Sequence, residues 1–161
     1  EGEELTQSLY DEILILLSKR AKERALYLLE DMARTEYQIR KKLKDGFYPD
    51  EAIDKAIEYC TTKHYIDDMD YAVRFIESRA STMSKRMISQ KLYLKGISKE
   101  TAEEAFLETE IDETEAVRAQ IIRKYGDTEA LSDLTFEEKS KLIKQLISKG
   151  FDYDSIKSVT T

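Results

Sequence analysis

The stretch from His64 to Arg79, HYIDDMDYAVRFIESR, holds the residues of this chain whose types and spacing most suggest chemistry. Asp67 and Asp68 are adjacent carboxylates, Asp70 is a third, Tyr65 and Tyr71 flank them, and His64 is the only histidine. Paired carboxylates can divide the acid and base roles of a hydrolytic reaction. Cys60 and His64 stand four apart, which can place two metal ligands on one helical face. The surroundings support neither chemistry. Two ligands fall short of the three or four that hold zinc, and the chain has no other cysteine or histidine. A sole histidine in a helix-to-helix turn gives no credible Ser-His-Asp or Cys-His-Asp arrangement, and no GxGxxG or GxxxxGK[ST] phosphate loop occurs. Catalytic residues, cofactors and a metal are therefore not expected.

The same residues make sense as the start of a helix. Asp67 falls at the N-cap and Asp70 at N3, with both carboxylates near the positive end of the helix dipole, and Ile66 is placed to staple back onto Tyr71. The device recurs in IDETEAV, where Ile111, Asp112 and Glu115 occupy corresponding places, and a one-off active site does not predict a second copy. Capping is the preferred reading of Asp67 and Asp68. Stepping from Ala72 through Phe75 and Ile76 by helical spacing reaches Arg79 on the apolar face. There its stem can snorkel while the guanidinium caps the terminal carbonyls.

The elements that must position these residues are helical. Charged residues make up 37% of the 161 and hydrophobic ones 41%, with five glycines, one proline and no tryptophan, the make-up of helices with wet outer faces. No apolar run approaches the ~20 residues of a membrane span, and the acidic opening EGEELTQSLYDE is unlike a signal peptide. With Cys60 alone there is no disulfide framework, which fits a reducing cytoplasm. The chain opens at Glu1-Gly2 rather than methionine, so further sequence upstream is expected.

Apolar residues at Leu9, Ile13, Leu16, Leu17, Ala21, Ala25, Leu28, Leu29 and Met32 wind one stripe around a helix over Thr6 to Met32, or around two collinear helices. Thr35 and Gln38 have capping-box spacing and open a second helix, about Glu36 to Lys44. Gly46 is expected to end it in the left-handed conformation, and Pro49 suits the first turn of a third helix, running to about Thr61. The punctuation then recurs. Ile39/Leu43, Ile88/Leu92 and Leu142/Leu146 correspond, each pair followed by Gly46, Gly96 or Gly150 and then by Phe47, Ile97 or Phe151. Preceding helices match through Ala25-Leu28-Leu29, Ala72-Phe75-Ile76 and Val117-Ile121. The pattern predicts an all-α protein: a helix over residues 1–23 leading into three-helix repeats at 24–65, 66–110 and 111–161. Such repeats bury their apolar faces by stacking, so an elongated, slightly curved array is expected.

Charge is unevenly spread. From Tyr71 to Lys99 run Arg74, Arg79, Lys85, Arg86, Lys91, Lys95 and Lys99 against Glu77 alone, and then acids follow from Glu100 to Glu115 with no base until Arg118. A second basic block spans Lys19 to Lys44. Such blocks occur on plainly solvated helices, and they also suit a partner with its own charge pattern or nearby phosphates. The net charge of -7 opposes tight non-specific binding to nucleic acid. Arg74, Lys85, Arg86, Lys91 and Lys95 are the candidate partner-binding residues.

The segments RALYLLEDMARTEYQIRKKL, YIDDMDYAVRFI and KGISKETAEEAF, in this order and spacing, resemble the RecX family of regulators of the RecA recombinase. The likeness covers nearly the whole chain and is strongest from Ala21 to Phe106. Tyr65, Ile66, Asp67, Asp68, Tyr71 and Ala72 match the family's most recognisable motif, and Lys95, Gly96 and Ile97 match the turn of its second repeat. These residues, with Arg79, are expected to act mainly in structure. His64 departs from the pattern, where glycine is common, and histidine enters the left-handed region more readily than most residues. The resemblance implies a cytoplasmic, monomeric, non-enzymatic protein that lies in the groove of the RecA-DNA filament, inhibits ATP hydrolysis and strand exchange, and so regulates recombination, DNA repair and the SOS response. Its partner would be the RecA filament, with single- or double-stranded DNA reached through the basic faces and no membrane contact. The rival is a helical nucleic-acid-binding module that acts on DNA without RecA.

Overall fold

The computed structural model describes residues 6–161, which form nine α-helices and one short 3-10 helix, with no strand among them. The helices are α1 (Gln7–Asp31), α2 (Glu36–Asp45), α3 (Asp50–Thr62), α4 (Asp68–Arg79), α5 (Lys85–Leu94), α6 (Lys99–Thr109), α7 (Glu113–Tyr125), α8 (Phe136–Ser148) and α9 (Tyr153–Thr160), with the 3-10 segment at Glu129–Asp133. The expected all-α class in three three-helix repeats is what the chain adopts.

Two compact units form. The first holds residues 6–71 together with Lys95–Ile97, and the second holds Ala72–Leu94 and Ser98–Thr161. In the first unit α1 is one continuous helix, capped by Thr6, whose hydroxyl accepts from the Leu9 N–H. It packs on α3, and Ala21 and Ala25 of the one and Ala52 and Ala56 of the other are buried in the same core. Small residues on both sides let two backbones approach closely, and Leu28, Ile53, Ile57, Ile39 and Leu43 fill the remaining space. Each buried leucine or isoleucine contributes about 1.5–3 kcal/mol relative to exposure. Cys60 is fully buried in this core, and burial pushes its thiol up from its ordinary pKa. In the second unit α7, α8 and α9 enclose Val117, Ile121, Leu142, Leu146, Phe151 and Ile156.

Helix starts follow the local sequence. Thr35 and Gln38 form the expected capping box at α2, and Thr135 with Glu138 forms another at α8. At the α3–α4 turn His64 takes φ 56°, a left-handed value that glycine adopts more easily.

The α2–α3 turn departs from expectation. Gly46 is not left-handed: its φ is -84°, and Phe47 carries the positive value, 60°. In the other two repeats the left-handed residue is Gly96 or Gly150, each with φ 84°. The Tyr48 N–H donates to Leu43 O and the Phe151 N–H to Leu146 O, so position matches position five residues after the helix leucine. The structural counterpart of Gly96 and Gly150 is therefore Phe47, not Gly46. The sequence alignment placed glycine on glycine, but the backbone counts from the last buried leucine.

Candidate partner-binding surface

Asp67 and Asp68 do different jobs. Asp67 caps its own helix, its Oδ1 accepting from the Asp70 N–H at 2.9 Å. Asp68 turns away from its own helix and accepts through Oδ1 from the Glu36 N–H at 2.8 Å, at the first residue of α2. Beside it Thr35, wholly buried, donates its hydroxyl to Lys95 O at 2.5 Å. A carboxylate and a carbonyl, far apart in sequence, thus close over one helix N-terminus, where backbone donors lack partners of their own. Burial raises the Asp68 pKa above the usual carboxylate range, outweighing the N–H bond from Glu36, which lowers it.

The second unit repeats the clasp with different residues. Ser84, buried, donates to Lys149 O at 2.8 Å, and Glu113 Oε1 accepts from the Lys85 N–H at the first residue of α5. Glu113 Oε2 also accepts from the Asp152 N–H at 3.0 Å. Asp112 holds the N-cap of α7 as Asp67 does for α4, and its hydrogen bonds from Thr114 lower its pKa. The correspondence is Asp67 with Asp112 and Asp68 with Glu113. Each acidic pair is a cap followed by a clasp, and both members are committed to backbone N–H groups.

Arg79 departs from expectation as well. Its side chain is exposed, and the guanidinium lies 5.9 Å from the Phe75 ring centroid, over the aromatic face one turn back. The terminal carbonyl at Arg79 O instead accepts from the Thr82 and Met83 N–H groups. The ring four residues earlier holds the cation, so the helix end is closed by the following turn.

The candidate partner-binding bases fall into distinct settings. Arg74 on α4 and Lys85, Arg86 and Lys91 on α5 are exposed. Lys95 is half-buried in the first unit, with its ammonium 5.8 Å from the Tyr71 ring. Lys85 and Arg86 line an open cleft of about 550 Å³ shared with Asp112, Glu113 and Asp152. The sequence block that looked unopposed is thus met, at the start of α5, by acids from the third repeat. Arg86 also lies against Gly150, close enough that a Cβ there would meet its Cδ at 3.0 Å. Lys91, further along α5, has no ion pair among the described residues.

Of the remaining motif residues, Ile66, Ala72 and Ile97 are buried, and Tyr65 is 53% exposed. Gly96 is pressed so closely on Tyr37 that an added Cβ would lie 2.1 Å from the tyrosine Cβ. No described helix is long and apolar enough to cross a membrane.

Family models named for the first, second and third three-helix domains of RecX match residues 21–60, 67–105 and 110–160. The chain is 32% identical over 167 residues to the regulatory protein RecX of Clostridium botulinum strain Eklund 17B, covering 99% of this chain and 78% of that one. It is 35% identical over 152 residues to the regulatory protein RecX of Salmonella arizonae, covering 87% and 89%. The fold resembles crystal structures of RecX from Lactobacillus salivarius, with TM-score 0.76, 22% identity and coverage of 89% and 94%, and of a second regulatory protein RecX, with TM-score 0.78, 24% identity and coverage of 99% and 81%. From its three matched helical domains and its identity to these relatives along almost its whole length, the chain belongs to the RecX family of regulatory proteins.

Proposed function

We propose that this chain binds the filament that the RecA recombinase forms on DNA and restrains its ATP hydrolysis and strand exchange, without catalysis of its own. The family match along the chain carries this reading. The capping roles of Asp67 and Asp68, each accepting a backbone N–H, are in keeping with it. The exposed bases Arg74 and Lys91 of the second repeat would supply the long-range attraction to the phosphate of a filament formed on DNA. Lys85 and Arg86 share their cleft with acids. Lys95 helps to set the turn it belongs to.

A second reading, direct binding to DNA without RecA, draws on the same exposed bases. Titrating the chain into RecA assembled on single-stranded DNA, while following ATP hydrolysis, separates the two. The filament reading expects hydrolysis to fall, and expects Arg74→Gln with Lys91→Gln to weaken that effect about threefold or more and flatten its salt dependence. The double variant should keep its melting temperature, since exposed substitutions move stability by about 0.5 kcal/mol. Unchanged hydrolysis, with strong salt-sensitive binding to naked DNA, would favour the second reading.

A further inference from the structure

In the first unit a groove of about 370 Å³ opens between α1 and the C-terminal end of α3, lined by Leu26, Leu29, Glu30, Tyr59 and Tyr65. We propose that this groove is a socket for an arginine side chain presented by a protein partner. The lining suits such a side chain part by part. Leu26 and Leu29 are partly buried and pack on the core beneath, which gives an apolar bed for the methylene stem. Tyr65 offers an aromatic face, on which a planar guanidinium stacks. Glu30 is the only charged residue in the lining, and its carboxylate matches a cation while repelling phosphate.

Three features of the site argue for a cation over a plain apolar group. The Lys22 ammonium already lies 4.6 Å from the Tyr59 ring centroid, so this ring holds a positive charge within the chain itself. Lys22 is not part of the groove lining, which leaves Tyr65 and Glu30 for an incoming group. Tyr65 is 53% exposed, yet its backbone is fixed: its N–H donates to Cys60 O at 2.8 Å, just after the left-handed turn at His64. A ring carried on fixed backbone and open to solvent needs no backbone ordering when something binds. Tyr65 thus has more to do than complete a structural motif.

The socket is independent of which partner carries the arginine, so its test does not use the filament. The full chain, with labelled leucine methyls, is titrated with the blocked tripeptide Gly-Arg-Gly, with the same peptide carrying norleucine in place of arginine, and with a short thymidine oligonucleotide. The arginine peptide should give saturable shifts at the Leu26 and Leu29 methyls, and Glu30→Gln and Tyr65→Leu should each weaken it about threefold or more. Equal shifts with the norleucine peptide would make the groove a plain apolar one and overturn the proposal. Stronger shifts with the oligonucleotide would make it a base-stacking site, and overturn it too. So would no shift at these methyls, or affinity untouched by Glu30→Gln, a change at an exposed position that leaves folding intact.

Discussion

The turn after α2 and the turns after α5 and α8 have one backbone shape and opposite side-chain demands. All three place a left-handed residue four positions after the second buried residue of the helix pair, Leu43, Leu92 or Leu146, at Phe47, Gly96 and Gly150. Gly96 lies against Tyr37 and Gly150 against Ser84 and Arg86, residues at the start of the helix that each turn closes over. Phe47 closes over nothing and is 94% exposed. Glycine is thus required where the turn docks on a preceding repeat. In the first repeat, where the turn is exposed, a residue with a Cβ is sterically tolerated despite its strained φ. The same asymmetry runs through the acids: Asp68 and Glu113 reach back to the preceding repeat, and the position four residues before Ala25, the counterpart of Ala72 and Val117, is the buried Ala21.

The contrast is broken most severely at Gly96. Gly96→Ala sets a Cβ 2.1 Å from the Tyr37 Cβ, a rigid atom beside the backbone, and imposes a left-handed alanine. We expect a loss of about 3 kcal/mol or more in urea unfolding. Gly150→Ala should lose less, about 1–2 kcal/mol, because its nearest contacts, Arg86 Cδ at 3.0 Å and Cβ at 3.1 Å and Ser84 Oγ at 3.2 Å, need give only slightly and φ strain is the larger part. Equal losses at the two positions would show that steric contact is not what distinguishes them.

The acids give the next effects. Glu113→Ala strands two backbone donors, Lys85 N–H and Asp152 N–H, and should cost about 2–3 kcal/mol. Asp68→Ala strands one, Glu36 N–H, and should cost about 1–2 kcal/mol. Denaturant midpoints of the two variants, in that order, check the claim that the clasps are equivalent in kind and unequal in number of bonds.

A smaller effect sharpens the same comparison through pH. The folded pKa of Asp68 is raised by burial above its ordinary value of 3.8, so the folded state binds the proton more tightly than the unfolded one. Ionisation therefore lowers stability as pH rises from about the unfolded value through the folded one. Asp68→Asn keeps an oxygen to accept from Glu36 and removes that charge. Its stability relative to the parent should climb across this window and level off above it. The difference between the proteins must be used, because Asp112 and Glu138, with lowered pKa values, contribute stability that is lost in the opposite direction, as pH falls. A flat difference across the window would mean that Asp68 is not desolvated as the fold implies.

Helix number, the capping boxes and the repeated helix cores were legible because each rests on local spacing: Thr35 with Gln38, or Ile39 with Leu43. The capping role of Asp67 was legible for the same reason, since its donor is three residues away. The role of Asp68 was not, because Glu36 lies 32 residues earlier and only the folded turn brings them together. The acids beside Lys85 and Arg86 escaped notice likewise: charge counted along the chain kept apart residues that the third repeat brings into one cleft. Arg79 was misplaced by helical phase alone, which does not see that Phe75 offers its cation a ring. Gly46 was misread because glycine is the usual left-handed residue, whereas here the turn length from Leu43 selects Phe47.

Phe47 yields the smallest effect and the sharpest test of the comparison, because its sign is opposite to that at Gly96. A left-handed residue with a Cβ is strained by roughly 1–2 kcal/mol, and asparagine feels less of this than phenylalanine because its short polar side chain bonds locally. The ring has almost no burial to lose, at 94% exposure. Phe47→Asn should therefore raise stability, by about 0.5–1 kcal/mol, with a matching small rise in melting temperature. Asparagine is the better probe than glycine, since glycine would also loosen the unfolded chain and offset the gain. Gly46 needs no change alongside it, having an ordinary φ of -84°. A gain at Phe47 together with a loss at Gly96 would establish that one backbone turn is strained by its side chain where it stands free and forbids one where it docks. A loss at Phe47 would mean that the ring supports the turn from outside, and the two regions would then differ in packing rather than in freedom from it.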